Sequence, residues 1–182
     1  DYVSAHIPEV GWAIARIIDR IDDLRFKRGF MLGVQTYYRE LEQEASENPF
    51  GIPYKPKIWG SAWAIERFGV GQYFFDKHLQ IEAAEHYLFR SLDYLLGVHP
   101  GENTASLVSG VGTRSATVAY GVNRADWSYI PGGVISGTAQ IKPDFPELKD
   151  WPFLWQQTEY MIGGAASSFM FLVLAAQKLI SE

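Results

Sequence analysis

Gln80-Ile81-Glu82-Ala83-Ala84-Glu85-His86-Tyr87-Leu88-Phe89-Arg90-Ser91-Leu92-Asp93-Tyr94-Leu95-Leu96-Gly97 is the stretch that decides the fold class. Ile81, Ala84, Tyr87, Leu88, Leu92 and Leu95 recur at steps of three and four, which winds them onto one face of a helix from about Gln80 to Leu96. Gly97 and Pro100 then stop it, because glycine accepts the left-handed turn at a helix end and proline has no amide hydrogen to continue the ladder. The same period appears on the N-terminal side. Trp63, Ile65, Phe68, Tyr73 and Phe74 predict a helix over about 61–76; Phe30, Leu32, Val34, Tyr37, Tyr38 and Leu41 predict one over 29–45; Trp12, Ile14, Ala15, Ile17, Ile18 and Ile21 predict one over 11–22. Asn48-Pro49 and the run Gly51 to Pro56 break the chain between the second and third of these.

C-terminal to Leu96 the helical period disappears. Residues 97–156 are rich in glycine and proline, with short apolar runs at Ala116 to Tyr120 and at Val134-Ile135, and read as a long irregular insertion holding at most a short hairpin. An insertion of that length in a compact domain marks a functional surface. A last helix, about Glu159 to Leu179, carries no charge from Tyr160 to Gln177. Its centre, Gly163-Gly164-Ala165-Ala166-Ser167-Ser168, is weakly apolar and suits close packing inside a protein better than a membrane span. The class is therefore all-α, a single domain over 1–182 built of helical hairpins. Hairpins of this length stack as a solenoid or as an α/α toroid, and no internal repeat chooses between them.

Composition narrows the function. The chain has 182 residues, 47% of them hydrophobic, enough for one substantial core. Its net charge of −5 and scattered Lys and Arg exclude a nucleic-acid surface, which needs a basic face. No cysteine is present, so thiolate catalysis and cysteine metal sites are ruled out. His6, His78, His86 and His99 show no ligand spacing and read as structural, and no cofactor or metal is called for. Six Trp and ten Tyr supply flat rings of the kind that stack on sugars.

Five motifs then resemble glycoside hydrolase family 9, the cellulase family built on an (α/α)6 barrel. Ile58-Trp59-Gly60-Ser61 is similar to a Trp-Gly-Ser-Asn that opens a late helix of the family. Ser91-Leu92-Asp93-Tyr94-Leu95-Leu96-Gly97-Val98-His99-Pro100 resembles its Asp-Tyr-Leu-Leu-Gly-x-Asn-Pro, and Ser106-Leu107-Val108-Ser109-Gly110-Val111-Gly112 its Ser-Tyr-Val-Thr-Gly-Phe-Gly. Pro131-Gly132-Gly133-Val134-Ile135-Ser136-Gly137 stands where the family has Pro-Gly-x-Leu-Val-Gly-Gly, and Thr158-Glu159 where it has Asn-Glu before its closing helix. The resemblance covers 58–180 and implies the C-terminal portion of an (α/α)6 toroid. Two departures accompany it. The family's His-His-Arg segment is replaced by Thr113-Arg114-Ser115 through Tyr129, without histidine, and its Asp-Ala-Gly-Asp motif, source of the catalytic base, has no counterpart in this chain.

The resemblance implies that Glu159 is the proton donor of an inverting hydrolysis, a reaction that needs a protonated carboxyl on one side of the glycosidic bond and a carboxylate on the other to activate water. Trp151, Phe153 and Trp155 before it would desolvate the carboxyl and raise its pKa. Read from the residues alone, Glu159 could equally favour the helix dipole from the first turn. Asp144 and Asp150 are candidates for a second carboxylate, although aspartates in proline-rich loops also serve as turn formers. Arg124, Asp126, Trp127 and Tyr129 form a compact group that reads either as a sugar subsite, with Trp127 as platform and Arg124 or Asp126 bridging hydroxyls, or as a loop folded onto its own aromatics. An oligosaccharide or polysaccharide is the implied partner, and a secreted or periplasmic location follows from that substrate. The family reading also makes this chain a fragment, inactive alone and prone to self-association through helix faces that the missing N-terminal half would cover. The alternative reading is a non-catalytic carbohydrate-binding or scaffolding helical domain.

Overall fold

The computed structural model describes residues 6–53, 60–102, 104–115, 119–120, 127–137, 160–161 and 164–182. They are mostly helical. A π-helical turn, Ile7–Gly11, leads into the short helix α1, Trp12–Ala15, and a 3-10 turn, Ile18–Arg20. Three longer helices follow: α2, Leu24–Ser46; α3, Ala62–Leu79; and α4, Glu82–Leu95. Strands β1, Ala119–Tyr120, and β2, Trp127–Ser128, pair antiparallel as a two-residue ribbon, which fits the short hairpin expected within the insertion. Helix α5, Gly164–Ser181, closes the order.

The helix expected over 11–22 is broken. Its backbone leaves the α-helical path at Ile17 (φ −119°, ψ 3°) and re-forms as the 3-10 turn, which sends Ile18 into the core. The next helix begins earlier than the apolar period suggests, because the carboxylate of Asp23 accepts the amides of Arg25 (2.9 Å) and Phe26 (3.0 Å) and caps a first turn at Leu24. Gln80, expected at the start of a helix, is instead the hinge of the α3–α4 hairpin. It adopts the left-handed conformation (φ +55°) and its amide donates to the Asp76 carbonyl at 2.8 Å, so α4 starts two residues later.

Two apolar clusters form the interior. One gathers Ile7, Ala15, Ile18, Phe30, Val34, Phe75 and Ala84 between the N-terminal segment and helices α2 to α4. The larger one joins Ile65, Leu88, Tyr94 and Leu95 of the hairpin to Leu107, Val108, Val134, Ile135 and Tyr160 outside the helices, and to Leu172, Ala175 and Ala176 of α5. Where α3, α4 and α5 meet, Gly69 is the contact: a Cβ there would lie 2.8 Å from the Ser91 Cβ and 2.9 Å from a Leu172 methyl. The expectation of a buried last helix holds on one face only. Met170, Leu174 and Ile180 are exposed, because α5 rests on α3 and α4 along a single stripe. Among the described residues no helix is long and apolar enough to cross a membrane.

Gly69 and Gly71 sit two residues apart on α3 in opposite surroundings, since a Cβ at Gly71 would meet only the Trp12 Cβ, at 3.8 Å. Gly69→Ala is expected to destabilise the protein by about 1–3 kcal/mol through overpacking. Gly71→Ala is expected to stabilise it by up to about 1 kcal/mol through helix propensity. Urea denaturation of the two variants beside wild type checks both signs.

Candidate functional site

The described residues of four of the five motifs meet in space, whereas Thr158-Glu159, like Ile58 and Trp59, lies outside the described residues. Residues 132–136 run through the middle. On one side the Ser109 amide donates to the Gly133 carbonyl (2.9 Å), the Gly132 amide to the Ser109 carbonyl (2.8 Å) and the Ile135 amide to the Leu107 carbonyl (2.9 Å). On the other, the Met161 amide donates to the Val134 carbonyl (2.9 Å), and Ile135 pairs antiparallel with Tyr160. At the end of the segment the Ser136 carbonyl accepts the amide of Ala62, the first residue of α3, at 3.1 Å. The C-terminus of α4 joins through the Leu107 amide, which donates to the Leu95 carbonyl at 2.8 Å.

Glycine and hydroxyl side chains make this convergence possible. Gly60 lies so close to residues 136–137 that a Cβ would stand 2.0 Å from the Ser136 carbonyl oxygen. Gly97 has φ +86° and faces the backbone of 104–106, where a Cβ would come within 2.4 Å of the Thr104 oxygen. Ser61 and Tyr94, both buried, share a hydrogen bond of 2.5 Å between their hydroxyls and tie the start of α3 to the end of α4. His99 has the structural role expected of it: its Nε2 lies 2.9 Å from the Tyr94 carbonyl and its ring packs edge-on against Phe50.

Tyr160 is held on two sides. Its side chain is buried, its hydroxyl oxygen accepts the Ile130 amide at 2.9 Å, and that hydroxyl also bonds the Ser109 hydroxyl at 2.8 Å. Of the residues singled out from sequence, Tyr129 is half exposed, with its hydroxyl lying over Gly110, where a Cβ would stand 2.5 Å away. Trp127 is placed by its backbone in β2 opposite Tyr120, and its side chain lies outside what the structure describes. Glu159, Arg124, Asp126, Asp144 and Asp150 lie outside the described residues. The clustering of the Ser109 and Tyr160 hydroxyls went unread in the sequence, although both sit within or beside quoted motifs. Among the described residues no group of three His, Cys, Asp or Glu is arranged to hold a metal.

A second unread feature is Glu66. It falls on the core face of α3, one turn after Ala62 and three residues before Gly69, and is 1% exposed. Its Oε1 has no hydrogen-bond partner among the described residues. Burial pushes its carboxyl up to about 8, against a smaller downward pull from the neighbouring Arg67 guanidinium. At neutral pH the folded protein thus holds a neutral acid inside the hairpin. A lone glutamate on a helix otherwise reads as part of a solvated face.

Two measurements follow from this geometry. In the unfolded chain Glu66 ionises near 4.5, whereas in the fold it keeps its proton up to about 8, so its contribution to stability is fully present below the first value and lost as pH rises between the two. Glu66→Gln, neutral and of the same shape, is expected to flatten that decline and to raise the melting temperature most at the alkaline end; identical slopes for variant and wild type would refute it. Tyr160→Phe strands the Ile130 amide and is expected to cost about 1–3 kcal/mol by urea denaturation. In comparisons with known proteins, no family model, no curated protein and no solved structure matches the chain.

Proposed function

We propose that this chain is the C-terminal portion of an (α/α)6 barrel in a family 9-like glycoside hydrolase, and that the parent protein cleaves β-linked glycosidic bonds with inversion. The observation that carries the reading is the meeting of four of the five motifs, in their described residues, around residues 132–136, with Tyr160 held by the Ile130 amide and the Ser109 hydroxyl. The described parts of four motifs form one hydrogen-bonded unit, which supports reading them as parts of one surface. The mostly helical character of the described residues agrees with the coarser, all-α part of the proposal.

In this reading Glu159 donates a proton to the leaving glycosidic oxygen while a carboxylate supplied by sequence upstream of this chain activates water on the opposite face of the sugar. An acid in that role contributes most when its pKa lies near the working pH, and the tryptophans at 151 and 155 are suited to desolvating it. Trp127 and Tyr129 would offer stacking faces, and Arg124 and Asp126 hydrogen bonds to hydroxyls. The substrate is an oligosaccharide or polysaccharide of the β-glucan type, met outside the cytoplasm. The missing base makes this chain inactive alone.

Hydrolysis of β-glucans and short β-linked oligosaccharides by the full-length parent, wild type beside Glu159→Gln, tests the proposal. Loss of a general acid is expected to lower kcat/KM by about 100- to 10,000-fold with the fold intact. Equal activity would reduce Glu159 to a helix-terminus residue. No activity in either protein would favour the non-catalytic carbohydrate-binding reading, to which the lack of histidine between Thr113 and Tyr129 already points.

A further inference from the structure

Away from the motif cluster, the N-terminal segment and α2 leave a cavity of about 570 Å³ along α3. It lies within the range of about 300–1,000 Å³ common to small-molecule sites. Trp12, Tyr37 and Phe68 line it and are half-buried. Gly71 forms part of its wall, and a Cβ there would touch the Trp12 Cβ at 3.8 Å without clashing.

The wall is already satisfied internally. The Trp12 indole donates to the Glu9 carbonyl at 3.1 Å, and buried Gln72 accepts the Tyr38 hydroxyl at 2.5 Å while also bonding Tyr37. These bonds hold the rings in place without a ligand, which is the preorganisation that a binding site needs. Burial raises the Tyr37 phenol above its ordinary range, so it remains a neutral hydroxyl. The exposed carboxylate of Glu9 and guanidinium of Arg67 also line the cavity, and Ser168 of α5 adds a hydroxyl.

Rings interleaved with a carboxylate, a guanidinium and hydroxyls match a molecule with an apolar face and a polar edge. A pyranose is such a molecule: its axial C–H groups stack on an aromatic ring and its equatorial hydroxyls radiate toward donors and acceptors. A purely hydrocarbon ligand would use the rings and leave Arg67 and Glu9 without a role. We infer that this groove binds a short carbohydrate, with Trp12 and Tyr37 as stacking faces and Arg67 and Glu9 holding hydroxyls. The choice of a sugar draws support from the proposed function, whereas the groove itself rests on its own geometry.

Cellotetraose is the probe, titrated into the isotope-labelled chain and followed by the indole N–H resonance of Trp12, identified through Trp12→Phe. Saturable shifts of that resonance are expected. Gly71→Leu, which adds bulk to the groove wall beside Trp12, should weaken binding about tenfold or more without unfolding the chain, as circular dichroism will show. Arg67→Ala, at an exposed position, should weaken it by a smaller factor and serves as the second variant should Gly71→Leu fail to fold. An unmoved Trp12 resonance, an affinity unchanged by both variants, or shifts produced by 1-naphthol and not by cellotetraose would each overturn the inference. Hydrolysis by the parent protein with an unmoved Trp12 resonance removes the groove and leaves the hydrolase reading. Trp12 shifts in a parent that hydrolyses nothing do the reverse.

Discussion

The hydrogen bond from the Ala62 amide to the Ser136 carbonyl joins the helical half of the described structure to its irregular half. It forms only because Gly60, two residues earlier, lets the two backbones come closer than any side chain would permit. From that joint the segment 132–136 pairs with 107–109 on one side and with 160–161 on the other, so the start of α3, the end of α4 and the approach to α5 are held in one frame. An irregular segment buried without such pairing would leave amides and carbonyls unsatisfied at a cost of order 1–3 kcal/mol each. The short ladder removes that cost.

The helices solve the complementary problem. α3 carries glycine where α4 and α5 press closest, and its core face otherwise presents Ala62, Ile65, Gln72 and Phe75. Polar groups on that face are handled unequally. Gln72 is satisfied by tyrosine hydroxyls from α2, and Ser61 by Tyr94, whereas one oxygen of Glu66 finds no partner among the described residues. Keeping the proton at neutral pH is the least costly state for a carboxyl so placed, since an isolated buried charge is far more expensive than a neutral acid. A helix that carries such a residue on its core face gains nothing in stability from it at alkaline pH.

Much of the fold was legible in the sequence. Among the described residues, apolar periodicity located α2, α3 and α4 over most of their length, the charge-free run from Tyr160 to Gln177 located α5, and the breakers at Asn48-Pro49 and Gly97 fell where α2 and α4 give out. The boundaries that moved did so for local reasons outside periodicity: Asp23 captured two amides and brought α2 forward, and Gln80 took a left-handed turn that a hydrophobic pattern does not register. The candidate site was legible only as motifs. Nothing in the letters of Ser109 and Tyr160 says that two hydroxyls 51 positions apart will bond, nor that Tyr160 will accept the Ile130 amide.

By itself the sequence determined what depends on a few neighbouring residues: which stretches wind into helices, where caps and glycines end them, and which sign of charge and which rings the surface can offer. Those properties rest on torsional preference and on spacings of three and four, both written within a single turn of chain. The tertiary structure alone decided which faces are covered. Glu66 became a neutral buried acid, Trp12 and Tyr37 became walls of a groove, and Met170 and Leu174 stayed in solvent because of which other segments came to lie against them. Burial is set by contacts between residues distant in the chain, and the local pattern that places a side chain on a helix face does not contain the element that will meet it.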